Sequence, residues 1–302
     1  MKNYKTILPI LFIILLSSKL SAQSLEPRLY SNAPLGINFL VAGYNYSSGA
    51  LATDPALELQ NPEINLHVGF LAYVTTYGLF GKSAKFNLVV PTVNIDGSAK
   101  TSTGELLTKD VTGLGDIKAK VSVNFYGSPA LSMKNFRNYK QDLIIGTSLE
   151  VTAPTGRYEK EKIINIGTNR WAAKIGVGAS KSLGKFAVEF LADAEFYTAN
   201  DTFKTDIKRE QEPVYSTQTH LIYNIQKGMW CALNANYYWG GVTKENGVKS
   251  SESFENSRYG FVFAMPINKQ HSIKLNGSSG ISTRTGTDFD SIAIAWQYRW
   301  FD

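Results

Sequence analysis

The chain has 302 residues, of which 43% are hydrophobic, 12% are aromatic and 19% are charged. A charged fraction below the roughly 25% of an average soluble protein, together with 16 tyrosines and 16 phenylalanines, argues against intrinsic disorder. A single cysteine, Cys231, excludes an internal disulfide, and three histidines argue against a Cys/His zinc site.

Residues 1–22 have the pattern of a secretory signal peptide. Lys2 and Lys5 precede an apolar run at 7–16, and small residues follow before the expected cleavage site. Ten apolar residues are too few to span a bilayer as a helix, so we expect cleavage rather than a membrane anchor. Loss of Lys2, Lys5 and Lys19 would lower the formal charge from +6 to +3, so the charge does not indicate a nucleic-acid partner.

The next segment, residues 23–34, is polar and contains two prolines. Such a segment either folds into the domain that follows it, as a plug or a constriction, or remains a disordered periplasmic tail. The sequence alone leaves both possibilities open.

The remaining residues, 35–302, alternate apolar and polar side chains in segments of about ten, which is the signature of membrane β-strands. No helical pattern fits after residue 23. Twelve strands are predicted in chain order, at 35–46, 63–78, 84–95, 111–126, 140–153, 168–180, 185–198, 213–225, 229–240, 257–265, 270–279 and 289–301.

The links between these strands alternate in length. The long, polar links lie at 47–62, 96–110, 154–167, 199–212, 241–256 and 280–288. The intervening links are tight, except for 127–139. An all-β, closed, antiparallel, up-and-down transmembrane β-barrel of about 12 strands has these properties, with short turns facing the periplasm and long loops facing outside. A soluble sandwich also alternates, but aromatic residues at the ends of the apolar rows favour the membrane barrel.

The last predicted strand carries an apolar row that resembles the terminal strand of bacterial outer-membrane barrels. Its members are Ile292, Ile294, Trp296, Tyr298 and Trp300. The barrel insertion machinery recognises strands of this kind, so this machinery and outer-membrane lipid are the expected partners.

The polar rows opposite the apolar rows are predicted to line the barrel lumen. The charged candidates for lumen-lining residues are Lys118, Lys120, Glu150, Lys174, Glu189, Asp193, Glu195, Arg258, Lys274 and Arg299. On the lipid face, each Lys or Arg would cost roughly 2–4 kcal/mol at the midplane. These charges either create a field across a narrow pore, which selects solutes, or pair with one another and fill a plugged lumen.

Several stretches resemble the family called "putative MetA-pathway of phenol degradation", whose members are predicted outer-membrane β-barrels commonly described as transporters. The stretches that carry the resemblance lie at 26–34, 113–116, 124–131, 154–158, 165–171 and 296–300. The resemblance implies a barrel fold and a transport function for small organic, aromatic or hydrophobic solutes. It implies no catalytic or binding residue.

The sequence therefore predicts a passive outer-membrane channel for small organic solutes. A sealed structural or adhesive barrel is the alternative, and a barrel hydrolase is a weaker one. A hydrolase needs a serine beside a histidine on one strand face, and His67, His220 and His271 have no serine two residues away. No metal, nucleotide or redox cofactor is predicted.

Overall fold

The computed structural model describes residues 26–50, 60–100, 106–162, 165–250, 253–285 and 288–301. The predicted signal peptide, residues 1–22, lies outside these ranges. Within the described part of the chain, strands dominate, and one helical turn, α1, spans Met133–Phe136.

The strands of the described residues are numbered in chain order. They are β1 (Ile37–Ala50), β2 (Gln60–Leu79), β3 (Lys82–Lys100), β4 (Leu106–Leu114), β5 (Ile117–Tyr126), β6 (Leu143–Ala153), β7 (Ala172–Leu183), β8 (Phe186–Tyr197), β9 (Asn200–Phe203), β10 (Ile207–Gln211), β11 (Val214–Gln226), β12 (Met229–Gly240), β13 (Thr243–Glu245), β14 (Val248–Lys249), β15 (Phe254–Pro266), β16 (His271–Thr285) and β17 (Asp288–Phe301).

The large sheet closes on itself as an antiparallel barrel. Its order is β2-β1-β17-β16-β15-β12-β11-β8-β7-β6-β5-β3, and β2 also pairs with β3. The first and last strands pair from Ile37 opposite Phe301 to Ala50 opposite Asp288. Because β4 and β5 form one interrupted barrel strand, twelve strands complete the ring, which confirms the predicted fold. Closure gives the backbone groups of every barrel strand a partner on both sides.

Apolar side chains cover the outside of the barrel. Leu71 is 57% exposed, whereas the adjacent Ala72 is 7% exposed, and Leu233 at 61% alternates with the buried Asn234. A surface of exposed leucine, isoleucine and phenylalanine rows fits a hydrocarbon environment. No helix in the described ranges is long and apolar enough to cross a membrane.

Tight turns join the strands at one end of the barrel, the short-turn end. Gly81, Gly184 and Gly228 have φ angles of 73°, 68° and 81° in these turns. Glycine adopts this left-handed conformation without steric strain, so each chain reversal needs only about two residues. The link that departs from the tight pattern, 127–139, contains α1.

The opposite end, the long-loop end, contains more structure than the sequence indicates. The predicted strand 111–126 is broken at Gly115 and Asp116, where the Gly115 N–H bonds to Pro91 O and the Asp116 side chain binds a loop. The predicted links 199–212 and 241–256 contribute a second, four-stranded sheet in the order β14-β13-β10-β9. Its strands have two to five residues, too few for a periodic pattern to show.

Candidate functional site: the barrel lumen

The inward face of each strand follows from the two-residue period and from burial. On β8, Glu189 and Leu191 are at most 1% exposed, whereas Phe190 between them is 51% exposed. Residues directly opposite each other on paired strands share a face, so the register extends this assignment around the barrel. The lumen is the enclosed space where a solute could pass or bind.

Four charged side chains form a ladder across the lumen faces of β5 to β8. Lys120 lies opposite Glu150, Glu150 opposite Lys174, and Lys174 opposite Glu195. Lys120 Nζ is 2.8 Å from Glu150 Oε2, and Lys174 Nζ is 3.9 Å from Glu150 Oε1 and 3.6 Å from Glu195 Oε2. Charges of opposite sign on neighbouring strands are therefore brought together as ion pairs.

Residues 26–34, which we call the N-terminal segment, lie inside the barrel against this ladder. Lys120 Nζ donates to both carboxylate oxygens of Glu26, at 2.6 and 2.5 Å. The backbone N–H of Arg28 donates to Glu189 Oε2 at 2.7 Å. The guanidinium group of Arg28 donates to Asn224 Oδ1 and lies 4.6 Å from the ring centroid of Trp230. Charged and polar lumen residues thus hold the segment from several strands.

Tyr30 of the N-terminal segment is completely buried in a notch made by two glycines. A Cβ atom placed on Gly146 or Gly178 would lie 2.4 Å from the Tyr30 ring, so only glycine leaves room for it. The Tyr30 hydroxyl is 3.3 Å from Ser148 Oγ, and the Asn124 side chain donates to the Tyr30 carbonyl at 3.0 Å. The ring is therefore fixed by both shape and hydrogen bonds.

The N-terminal segment is also held at the level of the short turns. Lys85 Nζ donates to the carbonyls of Arg28 and Leu29, at 3.2 and 2.8 Å. The backbone N–H of Leu35 donates to Leu131 O at 2.9 Å. The segment consequently crosses the lumen along the faces of β5, β6, β7, β8, β11 and β12, which form its polar half.

The lumen faces of β1, β2 and β3 carry a group of apolar side chains, which we call the apolar wall, alongside polar ones such as Lys85 and Asn45. Its members are Phe39, Val41, Leu66, Val68, Phe70, Ala72, Val89, Pro91 and Val93. Most of them, including Leu66, Val68 and Phe70, keep part of their surface accessible. The lumen is therefore asymmetric, with the N-terminal segment on the polar half and an accessible apolar surface on the other side.

The structure brings most of the predicted lumen residues of β8 into contact with the N-terminal segment or with neighbouring strands. Glu189 accepts hydrogen bonds from Ser180 Oγ at 2.9 Å and Ser31 Oγ at 3.2 Å, in addition to the Arg28 N–H. Asp193 accepts from Ser216 Oγ at 3.3 Å. These side chains anchor neighbouring groups rather than standing free in the lumen.

The other predicted lumen residues lie apart from this cluster. Lys118 is exposed near the long-loop end of β5. Arg258 on β15 is 1% exposed, and Lys274 on β16 faces the lumen among small residues. Arg299 is exposed at the short-turn end, where its Nε donates to Lys269 O at 2.7 Å.

Sequence reasoning missed the residue that holds the loop over the mouth of the barrel. Asp116 is 8% exposed and shares the inward face of β5 with Lys118 and Lys120. Its carboxylate accepts from the Gly156 N–H at 2.8 Å, the Thr168 N–H at 2.8 Å and Thr168 Oγ1 at 2.7 Å. The loop 154–168 is therefore drawn to the lumen side of β5.

Two glycines make this anchor possible. A Cβ on Gly156 would lie 2.7 Å from Gly167 Cα, and one on Gly167 would lie 2.6 Å from Gly156 O. The Arg157 N–H donates to Leu114 O at 2.8 Å, which adds a backbone contact to the strand end. The sequence contained one indication of this anchor. The stretches 113–116, 154–158 and 165–171, which carry the family resemblance, meet at this position.

Ion pairs stabilise the same end of the barrel. Lys162, and then Arg157, lower the pKa of the Glu159 carboxyl in the loop 154–168. The Glu212 carboxyl before β11 also has a lowered pKa, because Lys249 and Lys244 donate to it from β14 and β13. Glu159 therefore pairs within its own loop, whereas Glu212 links two loop segments that are distant in sequence.

The histidines have aromatic or amide partners. Tyr44 Oη lies 2.6 Å from His67 Nδ1, Asn234 Oδ1 lies 2.7 Å from His220 Nδ1, and Trp296 Nε1 donates to His271 Nδ1 at 3.2 Å. Among the described residues, no group of three or more His, Cys, Asp or Glu side chains is placed to hold a metal ion.

Comparisons with known proteins agree on the fold. The profile of the family described as "Putative MetA-pathway of phenol degradation" matches residues 59–298. The chain is similar to the COG4313 outer membrane channel from Pseudomonas putida F1, with a TM-score of 0.76 and 21% identity over 92% of this chain and 100% of that one. It also resembles the transport unit of the autotransporter AIDA-I from Escherichia coli, with a TM-score of 0.51 and 11% identity over 95% and 96% of the two chains. No curated protein matches the chain.

Proposed function

The chain belongs to the family described as "Putative MetA-pathway of phenol degradation", and from this premise we propose that it is an outer-membrane channel for the passive uptake of small organic solutes. Aromatic or hydrophobic solutes are the class that the lumen supports best. The similar solved structures are an outer membrane channel and the transport unit of an autotransporter. Passive transport needs no catalytic residue, since pore width and lining determine which solutes pass.

The accessible apolar wall is the observation that carries this proposal. A sealed structural barrel would fill its lumen on all sides, whereas here the N-terminal segment occupies the polar half, and Val68 and Phe70 on the other side remain accessible. Apolar surface gains roughly 25 cal/mol for each Å² removed from water, so an apolar solute is favoured along this wall. A barrel of twelve strands partly filled by its own chain has room for small solutes only.

The orientation in the membrane follows from the loops. Long loops of outer-membrane barrels face outside and short turns face the periplasm, so the N-terminal segment joins β1 at the periplasmic end of the lumen. Removal of the predicted signal peptide 1–22 and recognition of the β17 aromatic row by the insertion machinery belong to the same proposal. The contact partners of the outer surface are membrane lipids.

The charged lumen residues have a positioning role in this proposal. The ladder of Lys120, Glu150, Lys174 and Glu195, together with Glu189, holds the N-terminal segment on one side of the lumen. The segment then acts as a constriction that narrows the path without closing it. Residues of the ladder influence ion selectivity through the field that they create across the remaining space.

Single-channel recording in planar bilayers tests the proposal. We expect stepwise openings from the purified protein, and larger steps from a variant that lacks residues 26–34. A variant with Lys249→Gln, in the exposed strand β14, serves as the control and should conduct like the unmodified protein. A silent membrane with correctly folded protein would contradict the channel and favour the sealed barrel.

A further inference from the structure

One row of lumen-facing residues crosses five strands from the polar to the apolar side. The register places Ala264, Lys274, Ala295, Gly43 and Phe70 directly next to one another, on β15, β16, β17, β1 and β2. Directly opposite residues share a face, so all five point into the lumen as one continuous row. A cation and an aromatic ring are thus separated only by small residues.

Lys274 differs from the other lysines of the lumen in its surroundings. Lys85, Lys120 and Lys174 donate to carbonyls or carboxylates of the barrel and of the N-terminal segment. Lys274 Nζ forms no hydrogen bond or ion pair among the described residues, and the side chain keeps part of its surface accessible. Glu26 is the carboxylate whose charge acts on this ammonium group, but it is bound to Lys120. An ammonium group in a restricted space with no directly bonded carboxylate favours a ligand that supplies one.

The neighbouring residue on the same face is also incompletely bonded. Asn276 lies two residues further along β16, and its buried Oδ1 has no hydrogen-bond partner in the described part of the chain. Residues two apart on a strand point to the same side and lie about 6–7 Å apart. The Nδ2 group of this amide can donate to an anion that reaches Lys274, whereas the Oδ1 can only accept a hydrogen bond.

The residues beside Lys274 in this row have small side chains and form what we call the floor of the niche. Ala264 and Ala295 flank the lysine, and Gly43 follows. The Phe70 ring lies over Gly43, since a Cβ placed there would be 2.2 Å from Phe70 Cζ. Two strand spacings separate the backbones of Gly43 and Lys274, about 10 Å.

We propose that Lys274, Asn276, Ala295 and Phe70 form a binding niche for a small organic anion with an apolar body, such as an aromatic carboxylate. The carboxylate bonds to Lys274 Nζ, and the ring lies over Ala295 against the Phe70 ring. Aromatic rings prefer centroid separations of 4.5–7 Å, which this spacing accommodates. The niche rests on the proposed channel function, because it lies on the path beside the apolar wall, and it narrows the solute class to acids.

Current block by benzoate tests the niche in planar bilayers. Benzoate should reduce the conductance of the unmodified channel, and Lys274→Gln should weaken this block about tenfold or more, the effect of losing a charge-assisted hydrogen bond. Lys227→Gln removes the same charge from an exposed turn and should leave the block unchanged. Equal block in the Lys274→Gln channel, or no block of the unmodified channel, would overturn the proposal.

Two related probes separate charge from shape. Benzyl alcohol has the ring without the charge and should act equally on the unmodified and Lys274→Gln channels. Acetate has the charge without the ring and should block more weakly than benzoate. The variant Ala295→Leu fills the space beside Lys274 and keeps the ammonium group, so it should also weaken the block by benzoate. Full block in this variant would contradict the niche.

Binding in detergent distinguishes failure of the niche from failure of the channel. Isothermal titration of the purified protein with benzoate should give binding that Lys274→Gln removes and Lys227→Gln retains. Binding in detergent together with a silent bilayer would overturn the channel and keep the niche. Open channels together with no binding would overturn the niche and keep the channel.

Discussion

Lys120 connects two parts of the chain through a single ammonium group. It contacts Glu26 of the N-terminal segment at 2.5 Å and Glu150 of the barrel at 2.8 Å. Its side chain is 10% exposed, so the three charges depend on one another rather than on water. At the scale of the residue, the charged side chains of the lumen therefore hold separate chain segments together through ion pairs.

The first prediction concerns Lys120→Met. Removal of the cation leaves Glu26 and Glu150 facing each other in a restricted space, and we expect the free energy of unfolding to fall by about 3–5 kcal/mol. Urea unfolding of the protein in lipid vesicles measures this change.

The matched control for this prediction is Lys118→Met. Lys118 is exposed on the same strand and the same face. Its replacement should change the free energy of unfolding by no more than about 0.5 kcal/mol. An equal fall in the free energy of unfolding in the two variants would contradict a stabilising role for the buried ion pairs of Lys120.

The loop 154–168 is the element whose position depends most on one side chain. Asp116 accepts three hydrogen bonds from it, and Gly156 and Gly167 allow the backbones to approach. Asp116 lies at the break between β4 and β5, where the backbone hydrogen bonding of the sheet is interrupted. The backbone of the loop can therefore approach the Asp116 carboxylate. At the scale of the element, an interrupted strand serves to hold a loop at the barrel mouth.

The second prediction concerns Asp116→Ala. The donors of Gly156 and Thr168 lose their acceptor, at a cost of about 1–3 kcal/mol for each buried unpaired donor. We expect faster limited proteolysis within the loop 154–168 and noisier single-channel currents. Asp110→Ala is the control, since Asp110 is exposed on β4 and accepts only from Asn94 within the described residues. The same proteolysis rate in both variants would contradict the anchor.

The whole molecule has two unlike halves around one lumen. Strands β5 to β8, β11 and β12 present charges and amides that hold the N-terminal segment, whereas β1 to β3 present the apolar wall. The local alternation of residues determines which side chains of each strand face the lumen. Closure of the barrel places the polar half opposite the apolar wall. The polar half faces a chain segment and the apolar half faces the open space.

The third prediction tests this asymmetry with the double variant Val68→Ser and Val93→Ser. The two residues lie directly opposite each other on β2 and β3. Loss of their apolar surface should slow the uptake of benzyl alcohol into proteoliposomes by about threefold or more. Glycerol uptake in the same proteoliposomes is the control and should not fall. Unchanged benzyl alcohol uptake would contradict a path along the apolar wall.

Sequence reasoning determined the barrel class and the strand number because the two-residue period is a local property. Rows such as Ile292, Ile294 and Trp296 need no partner to be recognised, and alternating link lengths fix the up-and-down order. The inward position of Lys120 and Glu150 followed from the same period. The small sheet of β9, β10, β13 and β14 could not be predicted, because its strands are too short to show a period and its central pairing, β10 with β13, joins two loops that are distant in sequence.

The contacts inside the lumen were decided by tertiary structure alone. Glu26 meets Lys120 across 94 residues, Arg28 meets Glu189 across 161, and Tyr30 fills a notch between glycines of two strands. Alternation assigns a side chain to a face, but it carries no information about which distant segment lies against that face. The sequence thus determined a barrel with charges inside, and only the closed fold decided which wall the N-terminal segment covers and which wall is left for a solute.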